Sequence, residues 1–286
     1  MSLKLVAVDM DSTFLRDDKS YDVGRFKRVL EQCKEHGIKF VIASGNSYHQ
    51  LRDFFDEADK EYLYFAGDNG SYVVQQEVLQ HEIAMTRALA LDIVAFLEPY
   101  ADVSVFISTG DQSYILRDDP FYEIAKIYNG ILEEVDSFAE IPEAKMVTKV
   151  CILSHQGLAY NKAVAEAANA EFPDIMAVTS GNVSIDIIHR QSGKGFAIDY
   201  LQKRYDLAPD ECMAFGDSMN DLSMMREVKY SVAMSNADPH LAEHCAYEIG
   251  SNEEQAVLTV LERYFKEGSL GFMEEYLHQS DTSSLS

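Results

Sequence analysis

The sequence predicts an α/β protein: a doubly wound parallel sheet with a separate α+β module inserted into it. Three observations carry that prediction. Short, almost continuously apolar runs, the mark of parallel strands covered on both faces, alternate with stretches of helical spacing. Several of those runs end in acidic or hydroxyl residues, as strands do when their carboxyl ends line a ligand crevice: Asp9 with Asp11, Ser44, and Asp217. The alternation breaks near residue 83 and resumes near 188, which divides the chain into 1–82 (first part of the core domain), 83–187 (inserted module) and 188–286 (second part of the core).

The run over 3–8 reads as a buried strand that delivers Asp9 and Asp11 on either side of Met10. Side chains alternate along a strand, so these two carboxylates leave it in different directions and cannot play equal roles. A polar turn over 17–20 follows. Asp22 is placed to cap a helix running to about residue 36, with Val23, Phe26, Val29, Leu30 and Cys33 at helical spacing and Gly37 as its stop. A second buried strand over 38–43 ends in Ser44-Gly45-Asn46. A helix over 47–55, a third strand over 62–66 and a hairpin over 72–79 come next.

The inserted module reads as a helix over 84–100, strands over 103–108 and 113–116, and a helix over 120–128. A strand within 146–153, an alanine-rich helix over 158–172 and strands over 175–179 and 183–187 complete it. The core then resumes with Gly193-Lys194-Gly195 opening a helix to about residue 205. A strand over 211–215 ends in Gly216-Asp217-Ser218-Met219-Asn220-Asp221, and one over 230–234 precedes Ser235-Asn236-Ala237. Helices near 239–244 and 253–266 close the fold, and the polar tail from Gln279 is expected to fray.

Composition narrows the function. Apolar residues make up 47% of the 286, enough to fill one large or two medium cores. No apolar run approaches the roughly 18–20 residues of a membrane span, and the first residues show no signal-peptide pattern, so a cytoplasmic protein without a membrane partner is expected. The four cysteines are scattered with no Cys-x-x-Cys pair, which points to reduced, buried thiols. A formal charge of −24 argues against nucleic-acid binding and repels anionic substrates at long range. A phosphate ester would therefore need a local cation to reverse the field inside the site.

A doubly wound sheet gathers its strand ends along one edge, so Asp9, Asp11, Ser44, Asp217, Asn220 and Asp221 are expected in a single acidic pocket. Carboxylates crowded in this way repel one another unless a hard cation sits among them, and Mg2+ prefers such oxygen donors. Beside that pocket, the Lys194 ammonium can hold a nucleophilic aspartate ionised and offset charge on phosphoryl oxygens.

These pieces resemble the four motifs of the aspartate-nucleophile phosphatases of the haloacid dehalogenase superfamily, in order and over essentially the whole chain. Asp9-Met10-Asp11-Ser12-Thr13 is similar to the family's Asp-x-Asp-Gly-Thr, Ala43-Ser44-Gly45 to the second motif, Lys194 to the third, and Gly216-Asp217-Ser218-Met219-Asn220-Asp221 to the fourth. The long insertion, Asp68-Asn69-Gly70 and Val232-Ala233-Met234-Ser235-Asn236-Ala237 resemble the Cof-like hydrolases, whose Rossmann-like core carries the larger α/β cap.

The resemblance implies that Asp9 attacks phosphorus to form an aspartyl-phosphate, and that Asp11 protonates the leaving oxygen and later activates water. It implies substrate contacts from Met10, Ser44, Gly45 and Asn220, charge stabilisation by Lys194, and support from Thr13 and Asp221. Mg2+ would be held by Asp9, by Asp11 through its backbone carbonyl, and by Asp217. The expected reaction is hydrolysis of small phosphomonoesters, sugar phosphates or phosphorylated cofactors, by a monomer or homodimer whose cap selects the leaving group.

Two residues depart from the pattern. Ser12 replaces a glycine and restricts the turn after Asp11, and Asn46 stands where relatives often carry arginine. Phosphotransfer to another acceptor, as in phosphomutases, is an alternative activity. A non-catalytic phospho-acceptor is another, disfavoured because a receiver needs neither Asp11 nor a lid of roughly a hundred residues.

Overall fold

The computed structural model describes residues 2–100, 102–128, 131–180 and 183–278, and the tail from Gln279 lies outside them. The chain forms two compact units. One comprises Met1–Ser44, Asp56–Phe65 and Lys194–Ser286, the other Gly45–Phe55 and Ala66–Gly193. The stretch 83–187 falls wholly inside the second unit, which also takes in 45–55, 66–82 and 188–193.

In the first unit, strand Leu5–Val8 lies between Lys39–Ala43 and Cys212–Gly216 and runs parallel to both. Tyr230–Met234 and then Tyr247–Ile249 continue the parallel sheet beyond Cys212–Gly216. From the central strand the chain winds first to one side and later to the other, so the order reverses at Leu5–Val8. In doubly wound sheets ligands bind at such a reversal, here at the carboxyl ends of Leu5–Val8 and Cys212–Gly216. Every residue of both strands is buried, as their unbroken apolar runs require.

The helix Val23–His36 begins where Asp22 accepts a hydrogen bond from the Arg25 N–H (3.0 Å) and ends at Gly37 in the left-handed conformation. It packs against Ala256–Glu267, whose Val257, Leu258, Val260 and Leu261 are buried, while Lys194–Tyr205 packs against Leu222–Glu227. The helix expected over 47–55 is confined to Tyr48–Arg52. A new helix, Glu57–Lys60, starts at Asp56, whose carboxylate takes the Asp59 N–H. The short strand Tyr247–Ile249 carries too little pattern to stand out in the sequence.

The second unit centres on a six-stranded sheet in the order Ile175–Ser180, Ser184–His189, Lys149–Ser154, Val103–Ser108, Ser113–Leu116 and Leu132–Val135. All neighbours are antiparallel except the last pair. Side-chain alternation separates two cores. Ile107, Val150, Ile152 and Ile187 pack with Ile93, Leu97, Val164 and Ala168 of helices Arg87–Leu97 and Leu158–Glu171. Phe106, Cys151 and Leu153 pack instead with Ile115 and Ala125. Leu132–Val135 escapes a hydrophobicity reading because Glu133 and Glu134 are exposed at the sheet edge, where charge discourages further pairing. The hairpin is formed by Tyr72–Gln75 and Val78–Glu82.

Candidate active site

All the acidic and basic residues discussed next belong to the first unit. Asp9 leaves the buried strand Leu5–Val8 with its N–H donated to the Phe215 carbonyl (3.0 Å), which ties it to the strand that delivers Asp217. The chain then makes a wide turn over Met10–Phe14, closed by the Leu15 N–H donating to the Met10 carbonyl (2.8 Å). Ser12 sits at φ 58°, the left-handed conformation a glycine would favour, and the Asn236 side-chain amide donates to its carbonyl (2.8 Å). Serine thus accommodates the turn, and Asn236 holds it.

Lys194, at the first turn of its helix, is completely buried and donates to Asp9 Oδ1 (2.6 Å) and Asp221 Oδ1 (2.5 Å). The remaining Asp221 oxygen accepts the N–H groups of Asp217 and Ser218, both at 3.0 Å. That closeness requires Gly216: a Cβ there would lie 2.6 Å from Asp221 Oδ2. Thr13 donates to Asp217 Oδ1 (2.9 Å). Both oxygens of Asp221 are therefore engaged in orienting Lys194 and the loop, whereas Lys194 takes Oδ1 of Asp9 and Thr13 takes Oδ1 of Asp217.

Oxygens of Asp9, Asp217 and Asp221 lie within 4.8 Å of one another. Three carboxylates against one ammonium leave two excess negative charges when all are ionised. The consequence is visible in their acidity. Burial pushes the Asp9 carboxyl well above the usual range, and although Lys194 pulls it down, Asp221 and Asp217 push it up again. Burial and then the Asp221 charge raise Asp217 to about 6. Lys194 is lowered by burial, but Asp221 and Asp9 outweigh that and hold it firmly protonated. An all-oxygen, doubly negative set fits a hard divalent cation such as Mg2+.

The structure brings together Asp9, Thr13, Lys194, Asp217 and Asp221; of these the strand-end argument expected Asp9, Asp217 and Asp221, with Lys194 beside them. It places other candidates differently. The Asp11 carboxylate stands outside the three-carboxylate group, half-exposed and paired with Lys19 (2.7 Å). Met10 is wholly buried, so its side chain serves packing. Ser44 is buried at the end of Lys39–Ala43, and Asn220 Oδ1 accepts from Ser218 Oγ (2.6 Å). Gly45 belongs to the second unit, and the Asn46 carbonyl there accepts the Asp68 N–H (3.0 Å). Lys19 was hidden in what reads as a polar turn. The positioning role of Gly216 was hidden too, because a required absence of side chain leaves no signal in one sequence.

A parallel sheet with a reversal point and a lysine-bridged acidic cluster at its strand ends defines the class: an α/β enzyme with a built site for charge-stabilised group transfer. The model of the haloacid dehalogenase-like hydrolases matches residues 6–261. The chain is 34% identical over 269 residues to the Escherichia coli (strain K12) protein 5-amino-6-(5-phospho-D-ribitylamino)uracil phosphatase YbjI, covering 93% of this chain and 97% of that one. It is 27% identical over 279 residues to the HMP-PP phosphatase of Yersinia pseudotuberculosis, covering 96% and 99%. Among solved structures, SMU.1108c from Streptococcus mutans UA159 is similar with a TM-score of 0.85 and 32% identity, over 93% of this chain and all of that one. The chain belongs to the haloacid dehalogenase-like hydrolases and is an enzyme of that family.

Proposed function

We propose that this enzyme is a Mg2+-dependent phosphatase that hydrolyses small phosphomonoesters through an aspartyl-phosphate on Asp9. The observation that carries the reading is the Lys194 ammonium buried between Asp9 and Asp221 at 2.6 and 2.5 Å. Asp221 has both oxygens engaged, by Lys194 and by the Asp217 and Ser218 amides, so Asp9 is the one of the two proposed as nucleophile.

Asp9 attacks phosphorus, and the bond to the leaving oxygen breaks. Asp11 supplies the proton that makes the leaving group an alcohol, then takes a proton from the water that attacks phosphorus of the aspartyl-phosphate. Phosphate leaves and Asp9 is regenerated. To reach the leaving oxygen, Asp11 must part from Lys19, and an ion pair this exposed costs no more than about 1 kcal/mol to open. Lys194 orients Asp9 and favours its ionised form against burial and the neighbouring carboxylates, while Ser44 and the Gly45 backbone bind phosphoryl oxygens. Asp9, Asp217 and the Asp11 carbonyl would hold Mg2+, which when bound offsets the charge of the phosphoryl group.

The substrate is proposed as a phosphorylated sugar, sugar-like or cofactor-precursor molecule. In support, one relative is named for a ribitylamino-uracil phosphate and another for HMP-PP. The stretch 83–187 is proposed as the cap that closes over the leaving group. The enzyme is proposed to work in the cytoplasm, as a monomer or homodimer. No helix among the described residues is long and apolar enough to cross a membrane, and Cys33, Cys151, Cys212 and Cys245 are buried and unbonded.

The test is phosphate release from a panel of small phosphate esters, with and without Mg2+. Turnover that needs Mg2+ and is lost in Asp9→Asn supports the reading. A wild-type protein that releases no phosphate from any ester, under conditions where it binds Mg2+, contradicts it.

A further inference from the structure

The loop that follows Ser44 is held at three successive points by side chains and backbone of the second unit, to which residues 45–55 belong. Lys149 donates its ammonium to the Gly45 carbonyl (2.8 Å). The Asp68 N–H donates to the Asn46 carbonyl (3.0 Å), and the Tyr48 N–H donates to the Tyr72 hydroxyl (2.8 Å). Gly45 itself rests on a polar floor: a Cβ there would meet Asn69 Oδ1 at 3.3 Å and Asp186 Oδ2 at 3.6 Å.

Lys149 is an improbable residue to bury for packing alone. Its side chain is 4% exposed at the start of strand Lys149–Ser154, and a lone buried ammonium costs several kcal/mol. Two carboxylates compensate it, Asp68 Oδ1 at 3.3 Å and Asp186 Oδ1 at 4.0 Å. Each carboxylate is itself fixed. Asp68 Oδ2 accepts the hydroxyls of Ser108 (2.9 Å) and Thr148 (2.7 Å), and Asp186 Oδ2 accepts the Asn69 amide (2.9 Å). Asp68 Oδ1 has no hydrogen-bond partner among the described residues, so the nearby ammonium is what balances it. Burial disfavours the Lys149 ammonium, but Asp186 and Asp68 outweigh it and keep the group charged.

A buried cation built in this way, spending a short hydrogen bond on one loop carbonyl, has a purpose at that carbonyl. We propose that Lys149 is a positioning residue for phosphoryl binding: held by Asp68, Asp186 and Asn69, it fixes the Gly45 backbone and thereby the loop that carries Ser44. The inference rests on the reading of Ser44 and Gly45 as the phosphoryl-binding pair. Lys149 touches no reacting atom and acts through Gly45. Its place on the six-stranded sheet makes that sheet a support for the loop.

The experiment combines kinetics with amide exchange. Lys149→Met alone leaves two buried carboxylates uncompensated and can fail to fold, so Lys149→Met with Asp68→Asn is made beside it, removing cation and anion together. In the variant that folds, kcat/KM for a phosphate ester falls by about tenfold or more, as displacement of a positioning group does. In a Ser44→Ala background the same change costs less than about twofold, because its route of action is already gone. Exchange of the Tyr48 amide, which closes another point of the clamp and is untouched by either substitution, speeds by about tenfold, while amides of the strand Lys149–Ser154 keep their protection. Losses that add fully in the Ser44→Ala background, or unchanged exchange at Tyr48, overturn the proposal. A wild-type protein without phosphatase activity sinks the hydrolase reading instead, and the exchange result then decides the clamp on its own.

Discussion

Asp9, Lys194 and Asp221 act as one object. Lys194 lies between two carboxylates, and Asp221 spends its second oxygen on the Asp217 and Ser218 amides, so the ammonium cannot swing away from Asp9. Asp217 changes charge within the working pH range, since burial and Asp221 raise it to about 6. Because its folded value lies above the usual carboxylate value near 3.9, its protonated form favours the fold. That contribution is complete below about pH 4 and is lost as pH rises through about 6. A cation that binds the ionised carboxylates compensates the loss. Millimolar Mg2+ is therefore expected to raise the thermal midpoint more at pH 7.5 than at pH 5, where it must displace a proton; equal increments at both pH values would contradict the assignment of Asp217 to the cation site. Residue chemistry was the most legible scale in the sequence, because Asp9, Ser44, Lys194, Asp217 and Asp221 each follow or open a recognisable element. What could not be read was direction. The pairing of Asp11 with Lys19 and the engagement of both Asp221 oxygens depend on side-chain geometry that no spacing encodes.

Elements are legible when periodicity and punctuation agree. The helix Val23–His36 has both: an apolar stripe, an acidic cap and a terminal glycine. Its cap is remote in sequence from every candidate catalytic residue, so Asp22→Ala should lower stability by about 1 kcal/mol in urea unfolding and leave kcat unchanged. A loss of activity without loss of stability would mean that the helix start has a part in the site. Strands Val103–Ser108, Ser113–Leu116 and Tyr230–Met234 were equally plain from their apolar runs. Leu132–Val135 was not, because an edge strand that keeps its glutamates in water lacks the alternation that marks a half-buried one. The region after Ser44 was the least legible. One apolar pattern there is cut where the first helix stops at Asp53 and Asp56 caps the next, and its Gly45, Asn46 and Tyr48 anchors come from residues as distant as Lys149.

The whole molecule carries a formal charge of −24, and its proposed substrates are anions. The long-range field therefore opposes encounter, and in the proposed reaction Lys194 and the Mg2+ it calls for would confine attraction to the site. At saturating Mg2+, raising ionic strength from about 0.01 to about 0.15 M shortens the Debye length from roughly 30 to 8 Å and should raise kcat/KM for a dianionic ester. A fall would show that a cationic surface steers the substrate. The fold class was legible at this scale from one alternating pattern of buried strands and helices. The division of the chain into Met1–Ser44, Asp56–Phe65 and Lys194–Ser286 against the remainder was not, because it follows from contacts between segments far apart in sequence.

The central claim is that Asp9 takes the phosphoryl group. It is tested most directly by acid-quenching the enzyme during turnover of a phosphate ester with Mg2+ and locating phosphate on the protein by peptide mass spectrometry. The account predicts a hydroxylamine-labile phosphate on the peptide bearing Asp9, absent from Asp9→Asn. Sustained turnover in Asp9→Asn, or a phosphate trapped on a different residue, would contradict it.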